Sequence, residues 1–173
     1  GFNYSAVNNF GVKQTKGDYI LLLNNDTEVI TVNWMEELLM YAQREDVGAA
    51  GAKLYYGNKT IQHAGVVIGL GAHRTAGHTH YRIPVQNLGY MGRLCYTQNA
   101  TAVTGACLLV KKSLYEQVGG LDESFVISLN DVDFCLKLRK LGLLNVWTPF
   151  AELYHYESIS RGLDDQGEKA ERY

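Results

Sequence analysis

The sequence has few cysteines, few prolines and no large excess of either charge. Its 173 residues include three cysteines and two prolines. An odd number of widely spaced cysteines predicts neither a disulfide framework nor a cysteine-type zinc site, and it fits a reducing compartment. The 16 basic and 18 acidic side chains give a net charge of -2. Because there is no basic excess to attract a polyanion, we expect no nucleic-acid partner.

Long apolar runs are also missing. The longest strongly apolar run covers residues 19–23, whereas a membrane-spanning helix needs about 20 apolar residues. The first five residues do not resemble a secretory signal. The reducing compartment indicated by the cysteines leads us to expect a cytoplasmic location. Apolar residues make up 46% of the chain and charged residues 20%, which is typical of a folded domain. The length predicts a single domain over residues 1–173.

Short apolar segments alternate with helical patterns, which predicts an α/β sandwich. We expect a strand buried on both faces at 18–23 and further strands at 47–54, 102–110 and 144–147, the last stopped by Pro149. Residues 153–156 extend or follow that last strand. Residues 55–98 are rich in Gly, His and Tyr without clear periodicity, so we expect loops and short strands there.

Helices are expected between these strands. Asn3 to Gly17 has a helical pattern, and three further helices are expected to begin at N-cap residues, namely Asn33, Ser113 and Asn130. Residues 163–173 are charged and nearly free of apolar residues. We expect them to form a mobile tail or the start of a further helix.

The segment Asn24-Asn25-Asp26 follows the first strand at its carboxyl end. In open α/β sheets ligands bind at that end of the strands. A carboxylate there can hold a hard divalent cation, and the amides can bind a sugar or a phosphate. The alternative is a polar turn, in which Asn and Asp are favoured for local geometry alone.

Asp131 and Asp133 lie in the first turn of the helix expected after Asn130. Acidic residues there complement the helix dipole, which is a purely structural role. A rigidly held carboxylate at a helix start can also point into a cleft and act as a general base. The sequence pattern leaves both roles open.

His155 lies just past a strand and close to Arg161. A neutral imidazole can ligate a divalent metal, and an arginine can clamp a phosphate, although a single histidine is usually structural. Four further histidines lie in the irregular region, at His63, His73, His78 and His80. They lack the helical spacing or neighbouring cysteines of a zinc site, so structural or surface roles are expected.

Six motifs follow one another along the chain. They are Asn9-x-Gly11, Tyr19-Ile-Leu-Leu-Leu-Asn-Asn-Asp-Thr27, Val103-Thr-Gly-Ala-Cys-Leu-Leu-Val110, Gly119-Gly-Leu-Asp-Glu123, Asn130-Asp-Val-Asp133 and His155-x4-Ser160-Arg-Gly162. In this order they resemble the family 2 glycosyltransferases with a GT-A fold. The likeness is to the bacterial branch that builds cell-surface polysaccharide and includes rhamnosyltransferase-like proteins. The resemblance implies a mixed, mainly parallel sheet flanked by helices.

The resemblance also implies a metal site. Asn24-Asn25-Asp26 corresponds to the family's Asp-x-Asp motif, with Asn24 in place of the first acid. Asp26 would then ligate a Mg²⁺ or Mn²⁺ ion on the donor diphosphate, with His155 as a second ligand. Asn24 and Asn25 would bind the donor.

Three further positions take their roles from the resemblance. Asn130-Asp131 corresponds to a Glu-Asp pair whose Asp is the general base, so Asp131 is the expected base. Arg161 lies in a loop that closes on the donor pyrophosphate. Asn9 and Gly11 correspond to a segment that lines the donor site.

One departure from the family pattern concerns the start of the chain. Family members begin with a strand, a loop and a second strand that bind the nucleotide base, and the sequence contains no match to them. We therefore expect the chain to represent the carboxyl-side two thirds of a catalytic domain.

The implied activity is inverting, metal-dependent sugar transfer from a nucleotide-sugar donor to a glycan or lipid-linked saccharide acceptor. A lipid-linked acceptor would also be consistent with a peripheral association of the protein with the cytoplasmic face of the membrane. Two alternatives remain open from the residues: a metal-dependent hydrolase of a phosphate or glycan, and a non-catalytic glycan-binding domain that uses the 12 tyrosines and two tryptophans. The sequence leaves the oligomeric state open.

Overall fold

The computed structural model of the chain describes residues 1–70, 74–126 and 128–156. Four α-helices are present there, α1 (Tyr4–Gln14), α2 (Trp34–Ala42), α3 (Lys112–Gln117) and α4 (Asn130–Lys140). Nine strands accompany them, β1 (Tyr19–Leu23), β2 (Thr27–Val29), β3 (Val47–Tyr55), β4 (Ile61–His63), β5 (Val66–Ile68), β6 (Ala76–His78), β7 (Gln98–Ala100), β8 (Cys107–Lys111) and β9 (Leu144–His155). A short 3₁₀ helix covers Tyr90–Gly92. The expected tail at 163–173 lies outside the described residues.

The main sheet has the strand order β1-β8-β3-β9-β2, with β4 added beside β3 and β7 beside β9. Strands β5 and β6 form a separate hairpin. The α/β class with a mixed sheet flanked by helices is confirmed. The expectation of a mainly parallel sheet is wrong in the described part of the chain, because only β3 and β9 pair in parallel. The irregular region after β3 returns the chain without a helical crossover, so β8 runs antiparallel to β3.

Apolar clusters cover both faces of the sheet. On one face, Leu38 and Ala42 of α2 pack against alternate residues of β3, including Ala50 and Leu54. On the other face, side chains of α1, α3 and α4 pack together with the segment before β8. The small residues of β3 permit this close approach, since a Cβ atom added at Gly51 would lie 2.5 Å from Cβ of Val103.

Strand β1 lies at an edge of the sheet in the described residues. Ile20 and Leu22 are buried, but Leu21 is only half-buried and Leu23 is 42% exposed. The expected burial on both faces is therefore incomplete, because β1 pairs with β8 alone.

Three expected boundaries are shifted. Helix α3 begins at Lys112, so Ser113 lies inside it rather than at its N-cap. Leu129 is the N-cap of α4, and Asn130 is its first helical residue. Strand β9 continues through Pro149 because residues 148–151 form a bulge between the pairs Gly51–Trp147 and Lys53–Glu152, where no ladder N–H is required.

The helix expected within residues 3–17 is present as α1, which ends at Gln14. Its N-cap is Asn3, whose Oδ1 atom lies 3.0 Å from the amide of Ala6. Asn33 is the N-cap residue of α2, although its side chain binds Glu37 instead of a backbone amide. No helix within the three described ranges is long and apolar enough to span a bilayer.

Candidate active site

A cleft of about 610 Å³ lies at one end of the main sheet. Its walls are the turn after β1, the segment before β8, the start of α4, the end of β9 and the β5–β6 hairpin. It brings together five residues that the sequence analysis selected: Asn24, Asn25, Asp26, Asp131 and His155. The structure therefore brings five of the eight expected site residues to one cleft.

Antiparallel pairing of β2 with β9 brings Asp26 to His155. Thr27 pairs with His155, and the backbone carbonyl of Asp26 accepts a hydrogen bond from the amide of Tyr156 at 2.9 Å. As a result, Oδ1 of Asp26 lies 3.1 Å from Nε2 of His155. Asn24 also contacts this imidazole, with its Nδ2 atom 3.0 Å from Nε2.

Gln62 orients His155, and the sequence analysis did not identify it. Its Oε1 atom lies 2.7 Å from Nδ1 of His155. Because a carbonyl oxygen only accepts, Nδ1 carries the proton that is shared in this bond. In the neutral imidazole the lone pair then lies on Nε2, which faces Asn24 and Asp26. Gln62 is on β4, and no local pattern of the irregular region distinguishes it from a core polar residue.

The Asp26–His155 pair fits a divalent cation. Oδ1 of Asp26 is buried and accepts no hydrogen bond from any described residue. When His155 is neutral with its proton on Nδ1, its Nε2 atom is also an acceptor, and it lies 3.1 Å from Oδ1 of Asp26. Two ligands at right angles on a cation with bonds of about 2.1 Å lie about 3 Å apart. The pair therefore has the donor atoms and the spacing of two neighbouring metal ligands.

The described part of the chain supplies few other ligands to this position. Within the described ranges, no group of three or more His, Cys, Asp or Glu side chains could hold a metal ion. A hard cation held by one or two protein ligands completes its coordination with substrate phosphates and water. The site thus suits a cation that binds together with a diphosphate.

Asp131 is held at the start of α4 by backbone amides. Its Oδ2 atom accepts a hydrogen bond from the amide of Gly105 at 2.9 Å, and its Oδ1 atom accepts one from the amide of Val132 at 2.8 Å. The preceding Leu129 has a φ of 63°, an uncommon conformation for a branched residue that turns the chain into the helix. The hydroxyl of Tyr4 donates to the carbonyl of Gly105 at 3.0 Å. This bond fixes the backbone at Gly105, whose amide binds Asp131.

The two polar neighbours of Asp131 differ in position. Asn130 lines the cleft, although it is largely buried, and its Oδ1 atom accepts from the amide of Asp131 at 2.8 Å. Asp133 pairs with Lys137 one turn later at 2.8 Å and does not line the cleft. Burial, and secondarily the charge of Asp131, raises the pKa of the Tyr4 hydroxyl far above its usual range.

Asn9 and Gly11 do not reach the cleft, so the structure does not place them where donor binding requires. The amide of Asn9 donates to the carbonyl of Leu121 at 2.8 Å, and its Oδ1 atom accepts from Tyr115 at 2.7 Å. Asn9 therefore holds the turn after α3. Gly11 is exposed on α1, with no atom within 4 Å of where its Cβ would be. Arg161, the other expected donor ligand, lies outside the described residues.

The irregular region contributes a wall of the cleft through the β5–β6 hairpin. His78 lies in that wall, and His63 is fully buried behind it. Their Nδ1 atoms are 2.8 Å apart. His80 is half-buried and does not line the cleft, and His73 lies outside the described residues.

Comparisons with known protein families and curated proteins show which proteins this chain is similar to. The family model described as "Glycosyltransferase like family 2" matches residues 3–164. The uncharacterised protein y4gI of Sinorhizobium fredii is 52% identical over 99% of this chain and 19% of its own length. The O-antigen biosynthesis protein RfbC of Myxococcus xanthus is 42% identical over 94% of this chain and 13% of its own length. The chain thus spans about a fifth or less of these relatives.

Solved structures of low sequence identity share the fold. The structure of GalNAc-T7 with UDP, GalNAc and Mn²⁺ superposes with a TM-score of 0.69 at 12% identity, over 95% of this chain and 32% of that one. The catalytic domain of Drosophila β1,4-galactosyltransferase 7 in complex with xylobiose gives a TM-score of 0.55 at 16% identity, over 98% and 58%.

Proposed function

The chain belongs to the family 2 glycosyltransferases, and we propose that it carries the catalytic site for metal-dependent, inverting transfer of a sugar from a nucleoside diphosphate. The observation that supports this proposal is the position of the Asp26–His155 pair in the same cleft as Asp131. The Asp26–His155 pair suits a cation that binds the diphosphate. Asp131 supplies a carboxylate that can accept a proton.

Asp26 and His155 are the residues that would hold Mg²⁺ or Mn²⁺. When bound, the cation would neutralise negative charge that develops on the departing nucleoside diphosphate. Gln62 keeps the lone pair of His155 on Nε2, the atom that faces Asp26. Asn24 and Asn25 line the same part of the cleft and supply amides for the donor. Arg161 remains a proposed ligand for the pyrophosphate.

Asp131 is the proposed general base. In an inverting transfer the acceptor hydroxyl oxygen forms a bond to the anomeric carbon while the bond from that carbon to the diphosphate oxygen breaks. The hydroxyl proton passes to the carboxylate of Asp131 as the oxygen attacks. The amides of Gly105 and Val132 hold that carboxylate in one orientation, so no rearrangement is needed when the acceptor arrives.

The names of the relatives support a saccharide of the cell surface as the acceptor. RfbC is named for O-antigen biosynthesis. An N-acetylglucosaminyl-diphospho-decaprenol L-rhamnosyltransferase of Mycobacterium tuberculosis is 44% identical over 36% of this chain and 20% of its own length. We propose a glycan or lipid-linked saccharide acceptor, with the enzyme at the cytoplasmic face of the membrane.

The test is a calorimetric titration of the full-length protein with UDP, dTDP and GDP, and with sugar conjugates of each, in Mn²⁺ and in excess chelator. We expect binding to at least one nucleotide that is lost in chelator, followed by turnover only when a saccharide acceptor is added. Release of free sugar without an acceptor would favour a hydrolase. Absence of nucleotide binding, together with binding of glycans, would favour a non-catalytic domain.

A further inference from the structure

The imidazoles of His63 and His78 form a pair beside the proposed active site. Their Nδ1 atoms lie 2.8 Å apart, and the rings meet edge to face with centroids 5.0 Å apart. His78 lines the cleft and stacks on Tyr81 with an angle of 23° between the rings. His63 is 0% exposed. The pair thus joins a cleft residue to one inside the core.

The surroundings of His63 determine where its proton lies. The backbone amide of Thr104 donates to Nε2 of His63 at 3.4 Å, so this nitrogen is an acceptor. Burial, followed by the nearby imidazoles of His78 and His155, lowers the pKa of His63 well below its ordinary value. His63 is therefore neutral, and its single proton is on Nδ1.

The proton on His63 in turn determines the tautomer of His78. Because Nδ1 of His63 donates, Nδ1 of His78 must accept across the 2.8 Å contact. A neutral His78 then carries its own proton on Nε2. His155 has the opposite tautomer, because Gln62 accepts from its Nδ1 atom. Adjacent residues of β4, Gln62 and His63, thus assign opposite tautomers to the two cleft histidines.

We propose that His78 is a substrate-binding residue, which donates a hydrogen bond from Nε2 to an oxygen atom of a sugar in the cleft, and that His63 is the positioning residue that fixes this donor. This inference rests on the proposed sugar transfer. The oxygen could belong to the donor sugar or to the acceptor, since both have hydroxyl groups. In this tautomer Nε2 already carries a proton and cannot remove one from the acceptor, so His78 does not replace Asp131 as the base.

Two substitutions of His78 separate substrate binding from a structural role. In His78→Asn a polar atom remains near the position of Nδ1, so the bond to His63 can persist while the Nε2 donor is lost. In His78→Gln an amide donor can reach the position of Nε2, but the bond to His63 is lost. If the role of His78 is structural, His78→Asn should impair the protein less than His78→Gln. If His78 binds substrate, His78→Gln should impair transfer less than His78→Asn.

The functional measurement is steady-state transfer by the protein, with the nucleotide-sugar that the titration above selects and the saccharide accepted in that assay. We expect His78→Asn to raise the KM of one of the two substrates about 3- to 10-fold, the loss of one hydrogen bond, and His78→Gln to restore part of it. The substrate whose KM rises identifies the sugar that His78 contacts. Unchanged KM values in the Asn variant, or a Gln variant worse than the Asn variant, would overturn the proposal.

A second measurement does not depend on turnover. In protein with ¹⁵N-labelled histidine, the nitrogen chemical shifts should show a proton on Nε2 of His78 and on Nδ1 of His63 at pH 7. A proton on Nδ1 of His78 would contradict the inference even if transfer is active. His80→Asn is the control, because His80 lies outside the cleft and its positive φ of 56° suits Asn. If sugar transfer itself were wrong, the unmodified protein would show no metal-dependent donor binding, a result distinct from either outcome here.

Discussion

The Nδ1 atom of His155 donates to Oε1 of Gln62 at 2.7 Å, and this bond is made between two buried side chains. Strand β4 supplies the glutamine and the end of β9 supplies the histidine. With the proton on Nδ1, the lone pair of neutral His155 lies on Nε2, the atom that faces Asp26. A histidine that ligates a metal through Nε2 requires this tautomer. Gln62 therefore acts on the proposed cation only through His155.

Replacement of Gln62 is expected to weaken cation binding. Gln62→Met preserves volume but removes the acceptor, so Mn²⁺ affinity in the presence of nucleotide should fall by about 10- to 100-fold. Gln62→Glu retains an acceptor at that position and should keep most of the affinity. Isothermal titration of Mn²⁺ measures both. Equal affinity in the Met variant and the parent would show that Gln62 does not position His155.

Asp26→Asn should remove metal-dependent activity without unfolding the protein. The side chain of Asp26 is 32% exposed and its structural contact is made by the backbone carbonyl, which the substitution keeps. We expect a melting temperature within a few degrees of the parent and at least a tenfold loss of Mn²⁺ affinity. Asp18→Asn changes an exposed carboxylate outside the cleft and is the control. Parallel losses of stability and activity would favour a turn-residue role for Asp26.

Asp131→Asn is expected to reduce kcat by about 10²-fold or more, with little change in donor affinity, because a general base acts on the acceptor hydroxyl. Asp133→Asn is the matched control from the same helical turn. Asp133 pairs with Lys137, and such half-exposed pairs on a helix contribute well under about 1 kcal/mol. Steady-state kinetics and a separate donor titration measure the two effects. An inactive Asp133 variant beside an active Asp131 variant would reverse the assignment.

Asn9→Ala tests the structural role that the contacts of Asn9 indicate. The substitution leaves the amide of Leu121 and the hydroxyl of Tyr115 without their acceptor, so the free energy of unfolding should fall by about 1–3 kcal/mol. Donor affinity should not change, because Asn9 does not line the cleft. Urea unfolding and donor titration check these values. Gln14→Ala, at an exposed position of α1, should leave both unchanged. A weaker donor affinity at undiminished stability would restore the donor-binding role.

The buried, neutral state of His63 predicts acid sensitivity. Its pKa is lowered on folding, so below about pH 6.5 the unfolded chain binds more protons than the folded one, and stability is lost as the pH falls. This residue alone should contribute a slope of up to about 1.4 kcal/mol per pH unit. Urea unfolding between pH 7.5 and 5.0 should show a shallower slope for His63→Leu than for the parent. Identical slopes would mean that His63 takes up a proton equally readily in both states.

Local sequence predicts the class of fold and several of the residues that line the cleft. The apolar run at 19–23 indicated a strand, and the polar residues after it indicated a site at its carboxyl end. The same reasoning placed Asp131 in the first turn of a helix, whereas its proposed role as the base comes only from the family resemblance. These inferences succeed because side-chain periodicity reports the type of an element and where it ends.

Strand order and direction were decided by tertiary structure. The sheet is mainly antiparallel in the described residues because the chain returns from β3 to β8 without a crossover helix, and periodicity does not record the direction in which a strand runs. Asp26 approaches His155 only through the register of β2 on β9. The contacts of Gln62, His63 and Asn9 likewise join residues distant in sequence. In each of them the partner, and not the local pattern, determines which atoms donate and which accept.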